Sequence, residues 1–257
     1  MMVSAGLRWP LLASAGLLLP LDLFQALKLN TSLTEVDLSH NSLCGLAHGI
    51  GKYEASGIEL LANALTSNRA LTALNVLGNE LDKDAARMLA AIAKARRVSL
   101  CGIGPTQKHV NFYYKGLKAP DAILIAADLQ IRPALTILEL PSNEVGADGA
   151  VALAASIGEH PGLTSVDLSF NNIAGINHST GKGTYTSAGI RAIAEAVRAS
   201  TVCAVTSLNL KYNDIKPTDI EMLREAVDER SGSFVRRSKE VLGRKADRRV
   251  VEMVLDL

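Results

Sequence analysis

Apolar and polar positions in this chain repeat on two scales. Six short stretches alternate them with period two. They are Leu33-Thr-Glu-Val36-Asp-Leu38, Leu71-Thr-Ala-Leu74-Asn-Val76, Val110-Asn-Phe112, Leu135-Thr-Ile-Leu138-Glu-Leu140, Leu163-Thr-Ser-Val166-Asp-Leu168 and Val205-Thr-Ser-Leu208-Asn-Leu210. That alternation predicts strands with one buried side. Five of the six run on to an asparagine and another apolar residue, as in Asn79-Glu-Leu81 and Asn213-Asp-Ile215. An asparagine side chain can satisfy backbone groups that a turn would bury unpaired. The third stretch has Lys115 instead, which predicts a looser or reorganised turn there. Between the strands lie alanine-rich segments of helical period, over residues 55–65, 83–95, 121–129, 146–157 and 187–198. In the first of them Ile58, Leu61, Ala62 and Leu65 form one apolar stripe.

Each strand, turn and helix is a unit that cannot bury its apolar side alone, so the core comes from stacking. The strand centres Val36, Leu74, Val110, Leu138, Val166 and Leu208 lie 38, 36, 28, 28 and 42 residues apart. The base period of 28 matches a repeat with a full helical return, and the longer gaps hold insertions. Two insertions are alike: Gly45 to Tyr53 and Gly175 to Tyr185 each contain Gly, His, Gly-Lys and a closing Tyr. The recurring LxxLxLxxNxL is the leucine-rich-repeat pattern. Over roughly residues 21–229 the chain resembles the ribonuclease-inhibitor class of these repeats, which includes the arrays of NOD-like receptors and Ran GTPase-activating proteins. The resemblance implies an α/β fold, a right-handed solenoid curved into a horseshoe arc, with parallel strands on the concave face and helices on the convex face. It does not assign an activity, because this architecture serves many partners.

The composition is that of a folded chain: 257 residues, 48% apolar and 21% charged, with a net charge of +1. A charge near zero gives no ground for nucleic-acid binding. Cys44, Cys101 and Cys203 are far apart and lack CxxC spacing, so they read as buried thiols in a reducing, cytoplasmic setting. Residues 1–20 are apolar after Arg8, with Ala13-Ser14-Ala15 resembling a cleavage site. They read as a signal peptide or a truncated cap, and secretion follows in the former case, where the Asn30-Thr-Ser32 sequon would also matter. Residues 230–257 form a third region. Its stretch 230–250 carries a charge of +6, leaving −5 for the rest. Leu242, Ala246, Val250, Met253 and Leu257 are spaced as on an amphipathic helix. A cap over the last repeat, hinged at Ser231-Gly-Ser233, is the expectation, with membrane contact by this helix as the alternative.

The motifs for chemistry are weak. Gly45/Gly51-Lys52 and Gly175/Gly181-Lys182 miss the phosphate-binding GxxxxGK[ST] by one residue, and Tyr53 or Gly183 stands where a magnesium-binding hydroxyl belongs. Flexible loop insertions are the expectation. His40, Cys44 and His48 are the densest set of metal-ligating types but lie on a turn without matched spacing. We therefore expect no cofactor, no metal and no catalysis. Strand alternation instead selects a partner face. Its central column reads Asp37, Asn75, Asn111, Glu139, Asp167 and Asn209. The next reads Ser39, Leu77, Tyr113, Pro141, Ser169 and Lys211, and the third His40, Gly78, Tyr114, Ser142, Phe170 and Tyr212. Four of the chain's ten aromatics fall on this face, and such residues anchor interfaces. Six strands at ~4.8 Å spacing would span about 24 Å. A protein partner with a basic surface, held by a monomer, is the expected function; regulation of a small GTPase, as the Ran-activating resemblance implies, is the alternative.

Overall fold

A computed structural model describes residues 19–47, 50–242 and 254–256, in two compact units. The six predicted strands and the five predicted helices between them are all present, and the α/β repeat architecture is visible in both units.

The first unit takes residues up to 107 together with 120–132. It contains α1 (Leu19–Leu29), β1 (Glu35–Asp37), β2 (Leu46–Ala47), β3 (Ile50–Gly51), α2 (Ser56–Ser67), β4 (Ala73–Asn75), α3 (Lys83–Arg96) and α4 (Ala119–Ile131). β1 and β4 are parallel, with Val36 opposite Leu74. The stripe Ile58, Leu61, Ala62 and Leu65 is buried, as the period predicts. The segment Ser99 to Cys101 is an addition that the repeat spacing did not reveal. It bridges to Ala73 and Asn75, and Leu74 and Val76 donate their N–H groups to Ser99 and Leu100 carbonyls at 2.7 and 3.0 Å. The next repeat after Leu74 is therefore centred on Leu100, not Val110. A buried aspartate of α4, Asp128, holds this segment in place: it accepts from the N–H groups of Leu100 and Cys101 and from the Ser99 hydroxyl. Burial pushes its carboxyl above the usual range, against the opposing pull of those three donors and Arg132. Arg132 in turn donates to the Thr72 and Ile103 carbonyls.

The second unit takes residues 108–119 and 133 onward. Here β5 (His109–Asn111), β6 (Ile137–Glu139), β7 (Ser165–Asp167), β8 (Ser207–Asn209) and β9 (Val254–Asp256) form one parallel sheet in that order, backed by α5 (Gly146–Glu159), α6 (Ala188–Ala199) and α7 (Pro217–Leu242). The register aligns Val110, Leu138, Val166, Leu208 and Leu255. The six-strand face expected from the sequence is thus two separate sheets. The C-terminal expectation also changes. The helix runs unbroken through Ser231-Gly-Ser233, so that hinge is absent, and it is described as far as Leu242. Val254–Asp256 is a strand on the β8 edge: Leu255-Asp256-Leu257 repeats the LxL of the other strands, and a three-residue strand leaves no period to separate it from a helix. Arg244, Lys245, Arg248 and Arg249, and residues 1–18, lie outside the described residues. Among the described residues no helix is long and apolar enough to cross a membrane.

The asparagines tie each repeat to the one before it. Asn79 accepts from the N–H groups of Asn41 and Leu43 and donates to the Leu38 carbonyl. Asn143 does the same for Lys115, Leu117 and Phe112, and Asn213 for Asn171, Ile173 and Leu168. The Lys115 turn is consequently held from Asn143 and is not loose. What Lys115 lacks is an amide to reach backward, and β5 begins a new sheet. A second repeating device follows α1, α2, α5 and α6. Asn30, Asn68, His160 and Ser200 each accept from the N–H groups two and three residues on, so three residue types make one turn.

Candidate interaction face

The twelve face residues divide between the units. Asp37, His40 and Asn75 belong to the first, and Asn111, Tyr113, Tyr114, Glu139, Asp167, Phe170, Asn209, Lys211 and Tyr212 to the second. In the first unit the His40 ring lies over Gly78, where an added Cβ would meet it at 2.3 Å.

The central column is governed by local turn chemistry. A side-chain oxygen accepts from the N–H two residues on: Asp37 from Ser39, Asn75 from Leu77, Asn111 from Tyr113, Asp167 from Ser169 and Asn209 from Lys211, at 2.8 to 3.2 Å. Short Asn and Asp side chains suit this geometry. Glu139 is the exception, because Pro141 has no N–H to give. Its carboxylate turns sideways and takes His109 Nε2 at 3.0 Å and Asn111 Nδ2 at 2.6 Å, both on Oε2. Asp167 also takes the Ser169 hydroxyl at 2.6 Å and Asn209 Nδ2 at 3.0 Å. The column predicted to be an open acidic stripe is therefore largely committed within the sheet. Its alternation was legible in the sequence, but the pairing was not.

The third column is held in the left-handed backbone region. Tyr114, Ser142, Phe170 and Tyr212 have φ of 52°, 58°, 54° and 58°, and His40 has 55°. Each side chain there costs roughly 1–2 kcal/mol in backbone strain, and bulky aromatics are rare in it. Three aromatics nonetheless occupy it in one unit, and they stay largely outside the core. Tyr114 is 77% exposed, Tyr113 59%, Tyr212 51% and Phe170 37%. Phe170 and Tyr212 stack at 4.0 Å between ring centroids and 15° between planes. Tyr113 and Tyr114 are tilted at 6.0 Å.

Two residues absent from the sequence-based face join this pair. His178 stands edge-on to Phe170 and Tyr212 at 5.7 and 5.3 Å, and its Nδ1 is 3.0 Å from Asp214 Oδ1. The insertion that carries it is paired into a hairpin. Ile176 bridges antiparallel to Gly183, and a Cβ on Gly183 would meet the Gly175 carbonyl oxygen at 2.1 Å. The first insertion repeats this, with Leu46 opposite Gly51 and a Gly51 Cβ 2.4 Å from the Gly45 carbonyl oxygen. Each insertion ends in a tyrosine set against the start of the helix one repeat further on, α3 for Tyr53 and α7 for Tyr185. The Tyr185 hydroxyl donates to Asp219, and Lys216 Nζ lies 3.9 Å from the centre of its ring. In the other, burial first and the neighbouring Asp82 next hold the Tyr53 phenol well above its usual range. These hairpins fold by close backbone approach, a signal that paired glycines carry only faintly.

His48 lies outside the described residues. Among the described residues, no three of His, Cys, Asp or Glu are placed to hold a metal ion. All three thiols are buried and unbridged; burial raises Cys44 to about 11 and holds Cys101 well above the usual thiol range.

A family model described as leucine-rich repeat matches residues 29–43, 133–154, 161–175 and 203–223. Among solved structures, the chain is similar to leiomodin-1 actin-binding site 2 at 12% identity, covering 88% of this chain and 96% of that one, with a TM-score of 0.36. The Caenorhabditis elegans tropomodulin C-terminal domain is similar at 10% identity over 84% and 95% of the chains, with a TM-score of 0.34. Likeness at that level carries nothing over to this chain. No curated protein matches it. The matched segments contain β1, β6, β7 and β8, the same strands whose asparagine turns and registers define the architecture, and the chain is a leucine-rich-repeat protein.

Proposed function

We propose that this chain is a non-catalytic protein-interaction module that holds a protein partner on the open strand face of its second unit. One observation carries the reading: Tyr114, Phe170 and Tyr212 are kept exposed in a strained backbone conformation along one row of the sheet. Strain of that kind concentrates at functional positions, and exposed aromatics anchor interfaces. A partner with basic character fits, since Glu139 receives both its hydrogen bonds on one oxygen and keeps the other for a donor. The thiols, unbridged and buried, suit a reducing compartment. The GTPase-regulator alternative has less support: regulators of the Ran-activating kind work through an exposed arginine, and the three face columns contain none.

The test is affinity capture from the native source with quantitative mass spectrometry, comparing the natural chain with a Phe170→Ala/Tyr212→Ala double variant. A protein retained by the first and lost by the second, while both variants keep the same circular dichroism, supports the proposal. Identical captured sets would remove the face assignment. Stimulated GTP hydrolysis by a captured GTPase would favour the alternative.

A further inference from the structure

The third column of the second unit holds aromatics in three of four consecutive repeats, and the fourth is Ser142. Ladder hydrogen bonds fix the order: the Tyr114 N–H donates to the Pro141 carbonyl, Ser142 to Ser169 and Phe170 to Lys211, at 3.0 to 3.1 Å. Tyr114, Ser142, Phe170 and Tyr212 are therefore lateral neighbours sharing one backbone conformation, with φ between 52° and 58°. Phe170 and Tyr212, one strand apart, stack at 4.0 Å. Tyr114 and Phe170 are two strands apart, about 9.6 Å at the backbone. Ser142 is too short to fill the interval, so there is room above it for one flat group, stacked about 4–5 Å from the ring on either side.

We propose that this slot between Tyr114 and Phe170, floored by Ser142, takes the guanidinium of an arginine on the partner. The inference rests on the function proposed above and specifies the partner's chemistry. Arginine is flat, stacks on aromatic faces and brings donors for carboxylates; lysine offers a point charge without a plane. One carboxylate of the same repeat serves the slot: Glu139, three residues before Ser142, receives both its hydrogen bonds on Oε2 and keeps Oε1 for a donor. Glu144 of that repeat stands opposite Lys118 on the adjoining one and is already faced by a cation. A partner's aromatic ring would fit the width but make no use of the Glu139 carboxylate.

The probe is the peptide acetyl-Gly-Arg-Gly-Arg-Gly-amide, titrated into the full chain and followed by the NMR amide signals of Tyr114, Ser142 and Phe170. Lysine and tyrosine versions of the same peptide serve as controls. The arginine peptide is expected to shift those signals saturably and to bind about fivefold or more tighter than the lysine one. The Ser142→Tyr variant fills the slot with a side chain that the neighbouring repeats already hold in this conformation, and it should abolish the shifts. Tyr114→Ala, at an exposed position, should weaken binding about fivefold and guards against misfolding of the first variant. No shifts at these residues, equal or tighter binding of either control peptide, or shifts that survive Ser142→Tyr would each overturn the assignment. A partner capture that still depends on Phe170 and Tyr212 would then leave the binding face standing without its arginine slot; loss of both results removes the whole reading.

Discussion

Replacing Asn213 by alanine tests the ladder that carries the face. This side chain is 1% exposed and serves five backbone groups. Its Oδ1 accepts from Asn171 and Ile173, and its Nδ2 donates to the carbonyls of Leu168, Leu210 and Lys211. Alanine strands two buried N–H donors at roughly 1–3 kcal/mol each, so the expected loss is about 4 kcal/mol, with the carbonyls adding a smaller amount. Two-state analysis is a poor guide for stacked repeats. The assay is therefore hydrogen exchange at the Asn171 and Ile173 amides, read beside a urea melt. At 1.4 kcal/mol per decade, exchange should accelerate about a thousandfold. Asn213→Asp keeps the acceptor but turns an oxygen toward the Leu168 and Leu210 carbonyls, so it should be no milder. Acceleration below about tenfold in the alanine variant would refute the view that these amides hold the turns.

Asp128 gives a pH prediction. Burial holds its folded pKa above the unfolded one, so its contribution is complete below about pH 4 and falls as pH rises through the folded value. Subtracting the Asp128→Asn stability curve from the natural one should show a difference that declines with pH over that window; a difference that grows would contradict the assignment. In the hairpin, Gly183→Ala should force the 175–185 turn open, because the added methyl meets the Gly175 carbonyl oxygen and φ is 125°. The expected result is loss of the ring-current shift on His178 with the Phe170–Tyr212 stack intact. An unchanged His178 signal would show that the close approach does not hold the hairpin.

Regular elements were legible because a buried strand side and a helical stripe impose periods of two and about 3.6 on the residues. Where no period could form, the sequence misled. Val98-Ser-Leu100-Cys-Gly-Ile103 has neither the leading LxxL nor the asparagine, and its strand amides are held by Asp128 from 28 residues away, so it hid inside a long gap. The face columns followed from alternation, but their chemistry depended on Pro141, whose missing N–H frees Glu139 to pair with the neighbouring strand. His178 reaches the aromatic pair only through a hairpin closed by Gly175 and Gly183, a contact between residues that no short pattern links.

The backward reach of the asparagines also has a consequence for synthesis. A chain emerging from the ribosome N-terminus first always exposes a newest repeat whose turn amides await the next asparagine. Leu168, Asn171 and Ile173 cannot complete their bonding until Asn213 has been added some forty residues later. Assembly is thus vectorial, each repeat serving as template for a successor that finishes it. A pause in translation within that interval should leave a ragged, sticky front exposed to chaperones.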